Sequence, residues 1–285
     1  FGTESQKSRW LPICSAGKGA WAMGYSEPGA GSDLASLNTR AEQDGDNWII
    51  NGSKIWTSDA TKCDYIFILC RTSPEKPKHQ GISLILVDMN QTGVRVSPIQ
   101  LISGESPFCE TYFDNATAPI DDLIGGIDNG WTVGKRLLQY ERSTHAGVNT
   151  SGSEGGRDRT DYVTELVMKR QCGLKNKDIR DHLVQYQMTR KSIECTRQRV
   201  VEETKALAPG FASSAVKLSN ALNTQDGDEL IMKSIGTDGF LWEESNQGDD
   251  SVLKRWLYQK SLTIAGGTQE VQLNIIAKRV LGLPD

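Results

Sequence analysis

Near residue 127 the chain changes its hydrophobic pattern, and that change bounds what it can fold into. From about Trp21 to Gly125, apolar residues come in short runs rich in β-branched and aromatic side chains. These are Trp48-Ile49-Ile50, Lys54-Ile55-Trp56-Thr57, Tyr65 to Leu69, Ile82 to Val87, Val94-Arg95-Val96 and Cys109 to Phe113. Turn-forming clusters at Asp44-Gly45-Asp46, Asn51-Gly52, Ser73-Pro74 and Asn90 to Gly93 separate them. Short strands at regular spacing, with no helical segment between them, imply an antiparallel barrel or sandwich. From Asn129 onward the periodicity is helical, over Trp131 to Ala146, 178–208, Ser213 to Ile235 and Leu253 to Leu281. The last stretch is interrupted at Ala265-Gly266-Gly267-Thr268, where two glycines imply a break and a close approach of the backbone. Polar stretches from Asn149 to Gly156 and from Glu243 to Asp250 read as loops.

The expected fold is therefore α+β, an antiparallel β-barrel or sandwich domain over 21–127 followed by a C-terminal α-helical bundle over 128–285. Residues 1–20 read as the end of a preceding helical region, and the opening Phe1-Gly2-Thr3, without Met, reads as an interior position of a longer protein.

Composition removes several function classes. With 37% hydrophobic and 24% charged residues, the chain is of the globular type. No apolar run approaches the ~18 residues of a membrane span. A net charge of −4 offers no attraction to nucleic acid or to an anionic membrane. The six cysteines form no CxxC pair and the three histidines are dispersed, so no metal cluster is expected. Scattered thiols of this kind, with no signal peptide in view, point to a reducing, bacterial-like cytoplasm.

Four motifs carry chemistry. In Tyr25-Ser26-Glu27-Pro28-Gly29-Ala30-Gly31-Ser32-Asp33, glycines beside serines let backbone N–H groups and hydroxyls face a ligand closely. In Asn51-Gly52-Ser53-Lys54-Ile55-Trp56-Thr57-Ser58, an ordinary hairpin closed at Asn51-Gly52 would pack Trp56 into the core. The functional alternative lays Trp56 against a flat ring system, with the Ser58 hydroxyl offered to it. Leu137-Leu138-Gln139-Tyr140-Glu141-Arg142 holds a Glu-Arg pair that on a helix is ordinarily a solvated ion pair of little consequence. The fourth is Ile264 to Glu270, continuing through Arg279 to Pro284.

Together these strings resemble the acyl-CoA dehydrogenase family, over nearly the whole chain and most closely at 1–147 and 256–285. The resemblance implies an FAD enzyme that converts an acyl-CoA thioester to the trans-2-enoyl-CoA. A carboxylate would take the α-proton while the β-hydrogen leaves as hydride to the flavin. It assigns Trp56 and Ser58 to the isoalloxazine, Ser26 and Ser32 to the flavin ring and pyrophosphate, and Thr268 and Glu270 to the FAD of a neighbouring subunit. Where many members carry glutamate before the glycine-threonine pair, this chain has Gly266. A second branch, similar to isovaleryl- and long-chain acyl-CoA dehydrogenases, carries its glutamate on the helix after the β-domain. Glu141 stands there with Arg142 as its orienting neighbour, and Gly266 keeps a backbone N–H for the thioester carbonyl. The implied partners are the acyl-CoA, an electron-transfer flavoprotein and further copies in a homodimer or tetramer. The alternatives are a flavoprotein of the same fold with desulfinase, oxidase or monooxygenase chemistry, or a non-catalytic subunit of a hetero-oligomer.

Overall fold

The computed structural model describes residues 1–145, 159–170, 174–205, 212–242 and 252–284. The chain divides into two compact units, Phe1–Leu101 with Glu105–Leu137, and Ile102–Gly104 with Leu138–Asp285.

In the first unit, helix α1 (Glu4–Ser15) precedes a sheet of eight strands. These are β1 (Trp21–Gly24), β2 (Arg40–Asp44), β3 (Asn47–Ser58), β4 (Tyr65–Arg71), β5 (Ile82–Asp88), β6 (Val94–Ile99), β7 (Phe108–Pro119) and β8 (Leu123–Ile124). Their order is β6-β7-β3-β2-β4-β5-β8, with β1 alongside β4. The sheet does not close into a barrel, so the sandwich-like alternative describes it. It is also mixed rather than purely antiparallel, because β1 and β2 each meet β4 in parallel. Alternation along the strands sends Trp48, Ile50, Ile66, Ile68, Ile85, Val87 and Phe113 into one buried cluster.

The Asn51-Gly52 turn expected from the sequence does not form. Instead, β3 runs unbroken through both motif halves and pairs along its length with β7, with register shifts at Ile50/Gly52 and Lys54/Thr57. The hairpin turns earlier, at Gly45, whose φ is 57°. Gly52 serves a bulge: its φ is 147°, and a Cβ there would lie 2.7 Å from the Thr39 Cα. Pairing with a distant strand has overridden a local turn signal.

Helix α1 is tied to the far end of the sheet. Gln6 Nε2 donates to the carbonyls of Asp121 and Leu123 at 2.6 and 2.8 Å, and Trp10 Nε1 donates to the buried Asp122 carboxylate at 3.3 Å. Helix α2 (Gly130–His145) starts against β5. The Ser83 hydroxyl accepts from the Asp128 N–H at 2.8 Å, and the Asp128 carboxylate accepts from Thr72, Ser73 and Lys76. Gly130 sits directly on the Ser83 backbone.

In the second unit, α3 (Arg159–Arg170), α4 (Lys177–Lys205), α5 (Ser213–Ile235), α6 (Val252–Gln259) and α7 (Gln269–Ile275) are the helices after α2. Val163 and Val167, then Ile179, Leu183 and Tyr186, pack on Leu230 and Ile231 of α5. Helix α5 keeps the bounds its periodicity implies, and the break expected at Gly266-Gly267 falls between α6 and α7. Helix α3 was not anticipated, and the two loops expected at 149–156 and 243–250 lie outside the described residues.

The fit of α2 on β5 is testable. A Cβ at Gly130 would fall 2.3 Å from the Ser83 carbonyl carbon, and backbone cannot swing away as a side chain can. Gly130→Ala should lower unfolding free energy by about 3 kcal/mol, the upper end for overpacking. Guanidinium denaturation checks it, and an unchanged midpoint would show that the contact is looser than described.

Candidate active site

In the first unit two of the sequence motifs are laced together by a buried ion pair. Lys54 on β3 is fully buried, and its Nζ lies 2.8 Å from Glu27 Oε1. The same ammonium donates to the Tyr25 carbonyl at 3.1 Å. Glu27 also accepts from the backbone N–H groups of Asn38 and Thr39, at 2.6 and 2.9 Å. One residue along, the Ile55 N–H donates to the Ser26 carbonyl at 2.9 Å. Ser26 is thereby held beside the strand that leads into Trp56.

Trp56 occupies the register shift between Lys54 and Thr57 and adopts φ 62°, a left-handed conformation that costs a bulky residue of order 1–3 kcal/mol. Its indole is 53% exposed and touches Phe108 edge-on, with ring centroids 6.1 Å apart. The core-packed tryptophan of an ordinary hairpin is therefore excluded, and the bulge turns the ring outward. Ser58, two residues on along the same strand, is exposed, as is Ser32. Around Gly29 and Gly31 an added Cβ would meet nothing within 4 Å. An outward indole, a hydroxyl on the same strand and an open glycine-serine loop fit a flat, multi-ring cofactor with phosphates, and FAD is such a group.

In the second unit, Glu141 lies half-buried on α2. Arg142 is helical, but its side chain lies outside the described residues. Gly266 and Gly267 have φ of 65° and 94°. The fully buried Gln272 donates through Nε2 to the Gly266 carbonyl at 2.9 Å. Lys217 of α5, itself buried, donates to the carbonyls of Gly267 at 2.7 Å and Leu262 at 3.2 Å. Among the described residues nothing accepts from the Gly266 N–H. The Thr268 hydroxyl caps α7 by accepting from the Val271 N–H at 3.3 Å, and Glu270 is exposed in that helix's first turn.

Lys217 was missed by the motif reading. Burial draws its ammonium below the ordinary lysine range, and the Glu141 carboxylate opposes that shift. Lys217, far from the Gly266-Gly267 break in sequence, is thus bonded to it in the fold. The signal was present: Ser214, Lys217, Leu218 and Ala221 follow helical i, i+3, i+4, i+7 spacing, which puts a lysine on the buried stripe of α5.

Two family models match. Residues 22–116 match the acyl-CoA dehydrogenase middle domain and residues 128–281 the acyl-CoA dehydrogenase C-terminal domain. The chain belongs to the acyl-CoA dehydrogenase family. It is 37% identical over 289 residues to acyl-CoA dehydrogenase IpdE1 of Mycobacterium tuberculosis, covering 100% of this chain and 72% of that one. Among solved structures it is similar to the Tcur3481-Tcur3483 steroid ACAD, with TM-score 0.88, 31% identity and coverage of 100% of this chain and 73% of that one. It is also similar to the ChsE4-ChsE5 complex from Mycobacterium tuberculosis, with TM-score 0.79, 27% identity and coverage of 100% and 74%. This acyl-CoA dehydrogenase is an FAD-dependent oxidoreductase of acyl-CoA catabolism, as the motifs implied. Among the described residues no helix is long and apolar enough to cross a membrane, and no group of His, Cys, Asp or Glu could hold a metal ion.

Two predictions follow from the first unit's geometry. Trp56→Gly removes a strained left-handed tryptophan, so the unfolding midpoint should hold or rise by up to about 1 kcal/mol in stability. Flavin retained through purification, read as the visible-to-280 nm absorbance ratio, should fall sharply. A loss of core size, near 3 kcal/mol, would return Trp56 to an ordinary packing role.

The second concerns acid. Burial pushes the Glu27 carboxyl up, but the Lys54 ammonium and the hydrogen bonds from Lys54, Thr39 and Asn38 outweigh it and hold the group below its ordinary value. A depressed carboxyl contributes fully above the unfolded glutamate value of about 4.3 and loses its contribution as pH falls through the folded value. Glu27→Gln should cost about 3 kcal/mol at neutral pH, since Lys54 is left buried and uncompensated, and should flatten the decline of stability below about pH 4.3. Denaturation midpoints across that window decide it, and an acid profile identical to wild type would remove Glu27 as its source.

Proposed function

We infer that Glu141 is the general base of the dehydrogenation and that the Gly266 N–H donates to the thioester carbonyl oxygen. The observation that carries this reading is the second unit's holding both a half-buried Glu141 on α2 and a left-handed Gly266 in the turn before α7, so that a carboxylate stands at 141 where position 266 offers only backbone. Polarising the thioester carbonyl acidifies the α-carbon, and a fixed N–H is an efficient way to do so because it needs no reorganisation. The Glu141 carboxylate then takes the α-proton. When bound, FAD supplies what no side chain can, an acceptor for the hydride that leaves the β-carbon as the double bond forms. Trp56 and Ser58 would lie against the flavin ring, with Ser26 and Ser32 toward the ring and pyrophosphate. Thr268 and Glu270 would face the FAD of a neighbouring subunit, and Arg142 would orient Glu141.

The wider assignments rest on the relatives. Solved neighbours include steroid ACADs, so a steroid-derived acyl-CoA heads the candidate substrates. An electron-transfer flavoprotein is the expected electron acceptor, and an oligomer of at least two chains the expected assembly. The neighbours named as pairs, Tcur3481-Tcur3483 and ChsE4-ChsE5, favour a mixed oligomer as the second reading. Glu141 argues that this chain would be a catalytic member of it.

Anaerobic titration of the flavin spectrum with steroid-derived, branched and straight-chain acyl-CoAs tests the assignment. Wild type should bleach with at least one class. Glu141→Gln should keep its FAD and bleach about 1,000-fold more slowly, within the range for losing a positioned base. Bleaching by the variant at the wild-type rate would remove Glu141 as the base. Reduction by straight-chain thioesters alone would remove the steroid reading.

A further inference from the structure

Lys217 has no place in the chemistry as described, yet few ionic groups among the described residues are as tightly enclosed. Its side chain is 6% exposed, on a helix otherwise packed through Val216, Leu218 and Ala221. Its two hydrogen bonds go to backbone carbonyls of the turn: Leu262, before the glycine break, at 3.2 Å and Gly267, the second glycine of the break, at 2.7 Å. Salt bridges among the described residues do not include it, and the charge that acts on it is that of Glu141. A lysine buried only to fill space would be replaced by an apolar residue at no loss, because an ammonium out of water costs several kcal/mol to place.

We propose that Lys217 is a positioning residue for the dehydrogenation, bracketing the turn that presents the Gly266 N–H. This rests on the assignment of Glu141 and Gly266 made above. The geometry is that of a staple. One ammonium holds the carbonyls at both ends of the 262–267 segment, while Gln272 Nε2 holds the Gly266 carbonyl between them. Peptide units are planar, so these bonds orient the N–H groups of Thr263, Gly267 and Thr268 directly, and the Ala265–Gly266 unit that carries the Gly266 N–H lies between held units. Both glycines are left-handed, and a Cβ on Gly267 would lie 2.6 Å from Gln272 Nε2. The turn therefore has no freedom to substitute side chains for these bonds. Burial lowers the proton affinity of Lys217, and the Glu141 carboxylate restores part of it.

The test uses the FAD-loaded full chain with Lys217→Met, which keeps length and removes charge and donors, and Lys217→Arg, which keeps both in a different shape. Hydrogen exchange read by mass spectrometry reports on the turn without any turnover. The Met variant should gain deuterium in peptides spanning 262–272 and not in those of β3 or β7. With the acyl-CoA that reduces wild type best, its flavin should be reduced roughly 100-fold more slowly, the scale for misplacing one preorganised donor. KM should stay within a few-fold, and Lys217→Arg should recover at least about tenfold of the rate.

Wild-type reduction kinetics in the Met variant would overturn the proposal, as would unchanged exchange at 262–272. If Met, and Gln as a second neutral replacement, both fail to fold or to hold FAD while Arg succeeds only in folding, Lys217 is a structural fastener and the proposal falls. Failure of the Glu141 assignment is distinguishable, because Glu141→Gln run in parallel would then reduce normally while the exchange result for Lys217 stands or falls by itself.

Discussion

The ion pair between Lys54 and Glu27 is the constraint on which the first unit's arrangement of residues 25–27 against β3 depends. Both side chains are all but removed from water. The desolvation of two ions costs several kcal/mol each, so the pair survives only because its hydrogen bonds are nearly complete. Glu27 accepts from one ammonium and two backbone amides, and Lys54 donates to one carboxylate and one carbonyl. An apolar pair of the same volume could be as stable. It could not dictate the path of residues 25–27, because a hydrophobic contact has no direction. What the buried charges specify is where Ser26 lies relative to the strand carrying Trp56 and Ser58.

The second unit solves a similar problem by similar means. Gly266 and Gly267 adopt conformations that few other residues tolerate, and such backbone persists only where the surroundings over-determine it. Lys217 and Gln272 provide that, each buried and each bonded to a carbonyl of the break. Trp56 is the counterpart in the first unit, a left-handed tryptophan held by strand pairing on both sides of its bulge. In both places a deeply buried polar side chain stands next to a segment in left-handed conformation. That pairing is how a fold keeps a site rigid without filling it.

Much of this was legible in the sequence. The switch from period-two to helical patterning located the two kinds of structure, and α5 has the bounds its apolar stripe implies. The glycine break lay where Gly266-Gly267 interrupted a helix. The errors share one physical cause, the precedence of distant contacts over local ones. Asn51-Gly52 reads as a hairpin turn, yet β7 pairs across it and turns it into a bulge. The sheet was expected to be antiparallel because its strands follow closely in sequence, and β4, paired with β5 along one edge, took β1 and β2 as parallel neighbours along the other. Lys217 belongs to no motif, and its burial comes from what packs on α5.

By itself the sequence determined the composition of the site: which residue types could hold a flavin, and that a carboxylate stood at 141 where position 266 had none. Motifs of this kind are local strings, and a string is fully present before folding. Only the tertiary structure decided that Trp56 faces outward, that Lys54 and Glu27 are one buried pair, and that Lys217 bonds the carbonyls of the glycine turn. Burial and the direction of a hydrogen bond are properties of what surrounds a residue, and those surroundings come from segments far away in the chain.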